Sequence, residues 1–378
     1  MHPSIRIGRL LGIDVGLHYS WLIIAFLIVF SLAGHFQMTN PQWTPQVTWS
    51  LAAITALLFF ASILVHELAH AVVAKKRGMS VRSITLFALG GVANVEKEST
   101  DAKSEFWMAI VGPITSLAIG LFFLGLAEAT GWRPGFGTPL SPVWAAFVWL
   151  GYINIALAAF NMIPGFPLDG GRVLRAIAWH FTGNIVRATR IAAGVGQFIA
   201  AVLIVFGLLR FFGGAGFGGL WTAFIGWFLS QAAAASYAET EATAALSGVR
   251  VGDVMSENCP TVDAYTDLRT FAEEYLLRTG RRCFVVAQNG RELGLVTVHE
   301  LKKIDRARWP FTTVSQISVP LERLRTVSPD MDVTQALEIM VREDLNQLPV
   351  ISNGKLVGVI SRGDILQYLQ TKAELKAA

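Results

Sequence analysis

Charged residues are scarce in this sequence: 15% of the 378 residues are Asp, Glu, Lys or Arg, whereas 53% are hydrophobic. An ordinary soluble domain has roughly 25% charged and 45–50% apolar residues. The deficit is uneven, because residues up to about 240 hold almost all the long apolar runs and the rest has the composition of a soluble domain. We therefore expect a membrane part followed by a soluble part.

Cysteine is also rare, since the chain has only Cys259 and Cys283, both in the soluble part. Neither lies in a C-x-x-C motif or has a Cys or His partner at the spacing of a zinc site. A disulfide-stabilised scaffold and a cysteine-ligated zinc site are therefore not expected.

The formal net charge is +4 and the pI is about 9.1. Such a balance can indicate nucleic-acid binding, but Lys and Arg here cluster at the ends of apolar runs, where they determine membrane topology. We therefore expect the lipid bilayer, and no nucleic acid, as a partner.

Six apolar stretches approach the roughly 20 residues that a membrane span requires. Arg6 and Arg9 precede the first of them, so a cleaved signal peptide is an alternative there; we interpret the stretch as an uncleaved span. The predicted spans are residues 18–36, 50–74, 105–128, 143–161, 189–211 and 218–238.

Positive charge is distributed unequally between the loops. If the spans alternate in direction, twelve Lys and Arg residues fall on one side, and little beyond Arg133 and Arg210 falls on the other. Because short cytoplasmic loops are enriched in Lys and Arg, we predict a multi-pass protein of the cell membrane with both termini in the cytoplasm.

Two shorter stretches, 5–16 and 83–95, are rich in β-branched residues and contain glycines, notably Gly90-Gly91. These features favour strands over helices. Unpaired strand edges are not tolerated against lipid. We therefore expect a small re-entrant β-sheet that lies at the membrane interface or lines a wet cavity.

The soluble part contains an internal repeat. Asn289-Gly290 and the following segment 294–301 recur 64 residues later as Asn353-Gly354 and 358–365, with a hydroxyl residue and an acidic residue in register. Each copy has the pattern of strand, helix, strand, strand and helix. Two α+β units that pack against each other are therefore predicted.

The second span contains the sequence His66-Glu67-Leu68-Ala69-His70. Ionisable groups within a span are energetically costly and generally functional. Residues four apart share one helix face, so His66 and His70 can bind one metal ion, while Glu67 remains free to hold water. The alternative is a pair of histidines that hydrogen-bond to a neighbouring helix.

A catalytic zinc site usually has three protein ligands, so a third must come from another segment. The best candidate is Asp169, because Pro164 and Pro167 prevent a continuous helix before it. Two alternatives stay open. Asp169 could instead cap the helix that starts near Gly170, and His180, about three turns further on, could be the ligand.

These residues carry a family resemblance. His66-Glu67-x-x-His70 on a span, together with Asn161-x-x-Pro164-x-x-Pro167-Leu168-Asp169-Gly170, resembles the site-2 protease family of intramembrane zinc metalloproteases. The resemblance implies that His66, His70 and Asp169 bind Zn²⁺, that Glu67 is the catalytic acid and base, and that Asn161 assists at the substrate carbonyl. The family's third-span motif often ends in Asn where this chain has Ser116, so no role is transferred there.

The repeat is similar to the CBS domain pair, whose modules carry the pattern Gly-h-h-Ser/Thr-x-x-Asp, where h is apolar. The resemblance implies an adenine nucleotide contacted by Ser361 and Asp364 and, in the first module, by Thr297 and Glu300. Glu300 replaces the usual Asp, which weakens the expectation for that module. A purely structural pair that binds no ligand is the alternative.

The predicted fold is an α-helical membrane bundle of six spans with a small re-entrant β-sheet, joined to a soluble CBS-type repeat pair. The expected function is proteolysis of membrane-spanning protein substrates, regulated through the repeat pair, with a homodimer plausible in this family. The alternatives are a transporter or channel gated by that pair, and an inactive scaffold. The predicted domains are 1–238 (metalloprotease), 239–248 (linker), 249–309 (first repeat) and 310–374 (second repeat).

Overall fold

The computed structural model describes residues 5–79, 81–87, 90–95, 99, 101–132, 141–257, 260–281, 283–320 and 323–377. The chain divides into two compact units, Met1–Thr240 and Glu241–Ala378. Each unit is described by itself.

The first unit is mostly helical. Among the described residues, five helices are long and apolar enough to cross a membrane, and they coincide with the first five predicted spans. The sixth predicted span, 218–238, is helical as well but is not among those five. The helices are α1 (Ser20–Thr39), α2 (Pro45–Lys76), α3 (Ala102–Ala129), α4 (Pro142–Asn161), α5 (Asp169–Thr182), α6 (Ile185–Arg210) and α7 (Phe217–Leu246).

Polar side chains fix where several of these helices begin. Thr44 precedes α2 and accepts a hydrogen bond from the Val47 N–H, and Asp101 accepts one from Ser104 before α3. Ser141 has the same role before α4. Such caps satisfy the free N–H groups of the first helical turn. At the other end, α5 stops at Gly183, whose φ of 62° is readily accessible to glycine.

A four-stranded sheet covers both segments for which the sequence predicts strands. Its order is β1 (Ile5–Leu10), β2 (Ile13–Leu17), β3 (Val81–Phe87) and β4 (Gly90–Val95). β2 and β3 run parallel, and the other neighbouring pairs are antiparallel.

The sheet packs against α2 and α3 through a buried cluster that includes Ile13, Ile84, Ala71 and Met108. β4, which pairs with β3, lies against the C-terminal part of α2. A Cβ atom added at Gly91 would lie 2.5 Å from Cγ of Glu67, so only a glycine leaves room for that side chain.

The second unit contains two small α+β cores. The first has a sheet in the order β5 (Thr261–Asp263), β6 (Cys283–Gln288), β7 (Arg291–Thr297) and β8 (Val319–Pro320), with helices α8 (Leu268–Thr270, continued as a π-helix over Phe271–Leu277), α9 (Val298–Lys302) and α10 (Val314–Ile317). The second has the hairpin β9 (Gln347–Ser352) and β10 (Lys355–Ser361) with α11 (Val333–Arg342) and α12 (Arg362–Ala377).

The two cores are not contiguous in sequence. Val251 is fully buried among residues of the second core, and Ser256 pairs with Val359 of β10. Conversely, Val314 is fully buried in the first core, and Val319 in β8 pairs with Leu295 of β7. Each core therefore contains a segment that the order of the repeats would assign to the other.

Substitution of Val251 should therefore loosen the second core and leave the first intact. Val251→Ala removes two buried carbon atoms, which corresponds to roughly 1.5 kcal/mol at about 0.8 kcal/mol per buried methylene. Hydrogen exchange of the purified protein is the measurement, and faster exchange is expected in β9 and β10 but not in β6 and β7.

Val262→Ala is the matched control, because Val262 is 2% exposed in the first core. It should accelerate exchange in β6 and β7 instead. Identical hydrogen-exchange patterns for the two variants would contradict the conclusion that each core contains a segment of the other repeat.

Candidate metal centre

Two imidazoles of α2 face each other inside the first unit. His66 and His70 are one helical turn apart, and their side chains are almost completely buried. Their Nε2 atoms lie 3.1 Å apart. Two imidazole nitrogens at this distance form an incomplete ligand set for a metal ion.

Asp169 completes the set from a distant part of the chain. Its Oδ2 atom lies 3.2 Å from Nε2 of His66 and 3.2 Å from Nε2 of His70. Asp169 is the first residue of α5 and Leu168 occupies the N-cap position, so Asp169 is not the N-cap of this helix. Its carboxylate lies beside the two histidines instead. Within the described part of the chain, the only cluster able to hold a metal consists of His66, His70 and Asp169, and His180 is not in it.

The spacing of these three atoms fits zinc. Zn²⁺ binds nitrogen and carboxylate oxygen at about 2.0–2.2 Å, so two ligands of a tetrahedral ion lie about 3.3–3.5 Å apart. The observed triangle has sides of 3.1, 3.2 and 3.2 Å.

The space beside the triangle is kept open by Gly112 of α3. A Cβ atom at this position would lie 2.1 Å from Nε2 of His70 and 2.6 Å from Nε2 of His66, close to the distances that an ion would require. The absence of a side chain at residue 112 therefore leaves room for the ion.

The outer nitrogen of each imidazole is also engaged. Nδ1 of His66 lies 2.8 Å from the Ser116 hydroxyl, and Nδ1 of His70 lies 2.6 Å from the Met108 carbonyl oxygen. A carbonyl can only accept, so Nδ1 of His70 carries the proton and Nε2 keeps its lone pair for a metal. The sequence contained no signal for Met108, because a backbone carbonyl is common to all residues. No role for Ser116 follows from the sequence either.

Glu67 and Asn161 line a cavity of about 670 Å³ that is also lined by the three candidate ligand residues. Both side chains are partly exposed to it. The rest of the wall is mainly apolar and comes largely from α1, α2 and α7, with contributions such as Trp21, Phe60, Phe224 and Phe228. The site is therefore a polar centre in an apolar chamber.

Close backbone contacts hold the segment before Asp169. A Cβ atom at Gly171 would lie 2.3 Å from the Gly165 carbonyl carbon, and one at Gly196 of α6 would lie 2.3 Å from the Phe166 oxygen. The Phe166 N–H also donates to the Ala192 oxygen. The proline-containing turn is thus clamped between α5 and α6.

In the second unit, the predicted nucleotide residues form two similar pairs. Thr297 donates to Glu300 through its backbone N–H and its hydroxyl, and Ser361 does the same to Asp364. Asp364 additionally accepts from the Ser256 hydroxyl at 3.1 Å. Each pair lies where a β-strand is followed by a helix, and each is internally hydrogen-bonded.

Comparison with known proteins identifies both parts of the chain. The family model "Peptidase family M50" matches residues 54–132 and 138–276, and the model "CBS domain" matches residues 251–306 and 314–371.

Similar proteins span the full chain. A provisionally named zinc metalloprotease of Synechocystis is 36% identical over 99% of this chain and 97% of its own. Rip3 of Mycobacterium tuberculosis, also provisionally named a zinc metalloprotease, is 36% identical over 98% of this chain and 93% of its own. The solved site-2 protease from Methanocaldococcus jannaschii is 29% identical and covers 62% of this chain and 94% of its own, with a TM-score of 0.41.

Replacement of Gly112 should impair metal binding specifically. Gly112→Ala places a methyl group in the space beside the two Nε2 atoms, so the affinity for Zn²⁺ should fall by at least about 10-fold, the usual effect of disturbing the surroundings of metal ligands. Competition with a chelating dye measures this affinity.

Gly125→Ala in the same helix is the control, because nothing lies within 4 Å of a Cβ atom there. It should bind Zn²⁺ like the wild type. Wild-type affinity in Gly112→Ala would contradict a metal site beside Gly112.

Proposed function

This chain belongs to Peptidase family M50, the site-2 protease family of intramembrane zinc metalloproteases, and on that premise we propose that His66, His70 and Asp169 are its zinc ligands and Glu67 its catalytic acid and base. The observation that carries the proposal is the triangle of ligand atoms from two segments about 100 residues apart in sequence. The transporter alternative loses its support, since family membership assigns an enzyme.

The bound ion supplies Lewis-acid polarisation and makes water acidic enough to ionise near neutral pH. Glu67 accepts the proton of the water whose oxygen attacks the scissile carbonyl carbon, and returns that proton to the amine nitrogen as the C–N bond breaks. Asn161, which lines the same cavity, donates from its side-chain amide to the carbonyl oxygen as negative charge develops there.

The substrate of this family is a membrane protein, and a peptide bond inside its helix is protected by helical hydrogen bonds. The substrate segment therefore has to unwind. We place it along β4, which pairs with β3 on one side and carries Gly91 next to Glu67. Addition of the substrate as a further strand would replace its helical hydrogen bonds by intermolecular ones.

The proposed topology has six spans, with α7 as the sixth, a re-entrant sheet, and both termini in the cytoplasm. Lys75 and Lys76 end α2, about 7.5 Å beyond His70 at 1.5 Å per residue. Because basic residues mark the cytoplasmic ends of spans, the active site lies near the cytoplasmic surface, from which water enters. We keep the boundaries 1–238, 239–248, 249–309 and 310–374 as those of the sequence segments, with residues around Val251 and Val314 completing the core of the opposite repeat. A homodimer is also part of this proposal.

The repeat pair is a CBS pair, and we propose that it regulates proteolysis by binding an adenine nucleotide. Ser361 and Asp364 would contact a phosphate and a ribose hydroxyl, respectively, with Thr297 and Glu300 at the corresponding place in the first module. The hydrogen bonds now made within each pair would be exchanged for bonds to the ligand. A structural pair without a ligand is the competing reading.

Glu67→Gln should separate zinc binding from turnover. The glutamine keeps the shape of the side chain but cannot accept the proton, so zinc content should be unchanged while cleavage falls by about 10²–10⁴-fold. The assay uses purified protein in detergent with a single-span substrate, and a zinc chelator abolishes cleavage by the wild type. Cleavage at the wild-type rate by Glu67→Gln would refute the assignment.

Nucleotide binding is tested by calorimetric titration of the full-length protein with AMP and with ATP. Asp364→Ala removes a charged acceptor worth about 1.5–3 kcal/mol, so affinity should fall at least about 10-fold. Glu374→Ala on the same helix, where the side chain is exposed, should have no effect. Absence of binding heat with either nucleotide would favour the structural pair.

A further inference from the structure

A buried carboxylate outside the reaction joins α3 to α5. Glu105 is 0% exposed within α3, one of the candidate membrane spans. Arg172 donates from Nε to Oε1 of Glu105 at 3.0 Å, and Arg175 donates from Nη2 to the same oxygen. Burial of an ionised carboxylate is expensive unless it is paired and hydrogen-bonded. The two arginines therefore hold the position of Glu105 relative to α5.

Both arginines belong to the helix that Asp169 begins. They follow Asp169 by three and six residues, so Arg172 is a neighbour of both Asp169 and Arg175 on the surface of α5. The ion pairs with Glu105 fix the rotation of α5 about its axis as well as its distance from α3. That rotation determines whether the Asp169 carboxylate reaches the two imidazoles.

The face of α3 that carries Glu105 also contacts the two histidines. Residues 105, 108, 112 and 116 are spaced by three and four and share one helix face. Met108 holds His70, Ser116 holds His66, and Gly112 leaves the space beside both Nε2 atoms. α3 thus contacts both histidines directly, and Glu105 on the same face links it to α5 through Arg172 and Arg175.

Arg175 extends the connection to the turn before Asp169. Its guanidinium lies 5.2 Å from the centre of the Phe166 ring, within the range of a cation–π contact. Phe166 is buried and belongs to the clamped turn between α4 and α5. A shift of Arg175 would therefore be transmitted both to the first turn of α5 and to the turn that precedes it.

We propose that Glu105 is a positioning residue that holds Asp169 in reach of His66 and His70 through Arg172 and Arg175. The inference rests on the proposed role of Asp169 as a zinc ligand. If Glu105 only stabilised the bundle, its replacement would have an effect on zinc affinity that does not depend on the presence of Asp169.

The test is a double-mutant cycle on zinc affinity, measured on purified full-length protein by competition with a chelating dye. Glu105→Gln should weaken Zn²⁺ binding by about 10-fold or more, the effect seen when partners of metal ligands are lost. In the Asp169→Asn background, Glu105→Gln should cause no further loss, because the ligand that it positions has already gone. Co²⁺ substitution adds a readout, since the visible spectrum of Glu105→Gln should shift toward that of Asp169→Asn.

Glu128→Gln is the matched control, the same chemical change at an exposed position of α3, and it should leave affinity and spectrum unchanged. Wild-type affinity in Glu105→Gln, or losses that multiply in the double variant, would overturn the proposal. Wild-type affinity in Asp169→Asn would instead overturn the zinc assignment itself.

If Glu105→Gln cannot be recovered folded, Glu105→Asp carries the test. It keeps the charge and shortens the side chain by one methylene, so it should fold and still lower zinc affinity by several-fold. Wild-type affinity in Glu105→Asp, with a weakened Asp169→Asn, would contradict the proposal equally.

Discussion

Three polar atoms within 3.2 Å of one another, inside a bundle of apolar helices, impose the main constraint on this structure. Two imidazoles and a carboxylate are stable at such short distances only when protons or a metal ion lie between them. Without such a partner, their removal from water is costly. The surrounding residues meet this constraint in different ways. Glycines leave space, a hydroxyl and a carbonyl engage the outer imidazole nitrogens, and a turn with two prolines brings in the carboxylate.

α3 has a central place in this arrangement although it supplies no ligand. One face of it is in contact with α2 through Gly112 and with α5 through Glu105. Catalytic geometry has to be held within fractions of an ångström, which requires support from residues outside the reaction. A buried ion pair is a suitable support, because it has a defined direction that apolar packing lacks.

Much of the site was predictable from sequence, because spacing alone determines which helix positions share a face. His66 and His70 follow from that rule as a candidate pair, and the prolines that end the preceding helix favour Asp169 as the third candidate while leaving a capping role and His180 open. Five of the six predicted spans are found as helices of sufficient length and apolarity, and strands occur in both predicted segments. The support by Met108, Ser116 and Glu105 was not predictable. These contacts join positions 38 to 70 residues apart, and no local pattern marks the three residues in the way that the histidine spacing and the prolines mark the metal cluster.

The sequence repeat predicted two similar units, but it could not predict which segments form each core, and the reason is again physical. Similarity between segments shows that they fold alike but does not show which copy completes which core. Val251 is buried in the core of the second repeat and Val314 in that of the first. Separation of the two repeats would therefore remove a buried segment from each core. The two halves are therefore thermodynamically linked in complete unfolding, although each core can open locally: a molecule that binds and stabilises one half raises the free energy of completely unfolding the other, even without touching it. A ligand bound to either half would therefore change the stability of the whole pair, which suits a sensor with a single output.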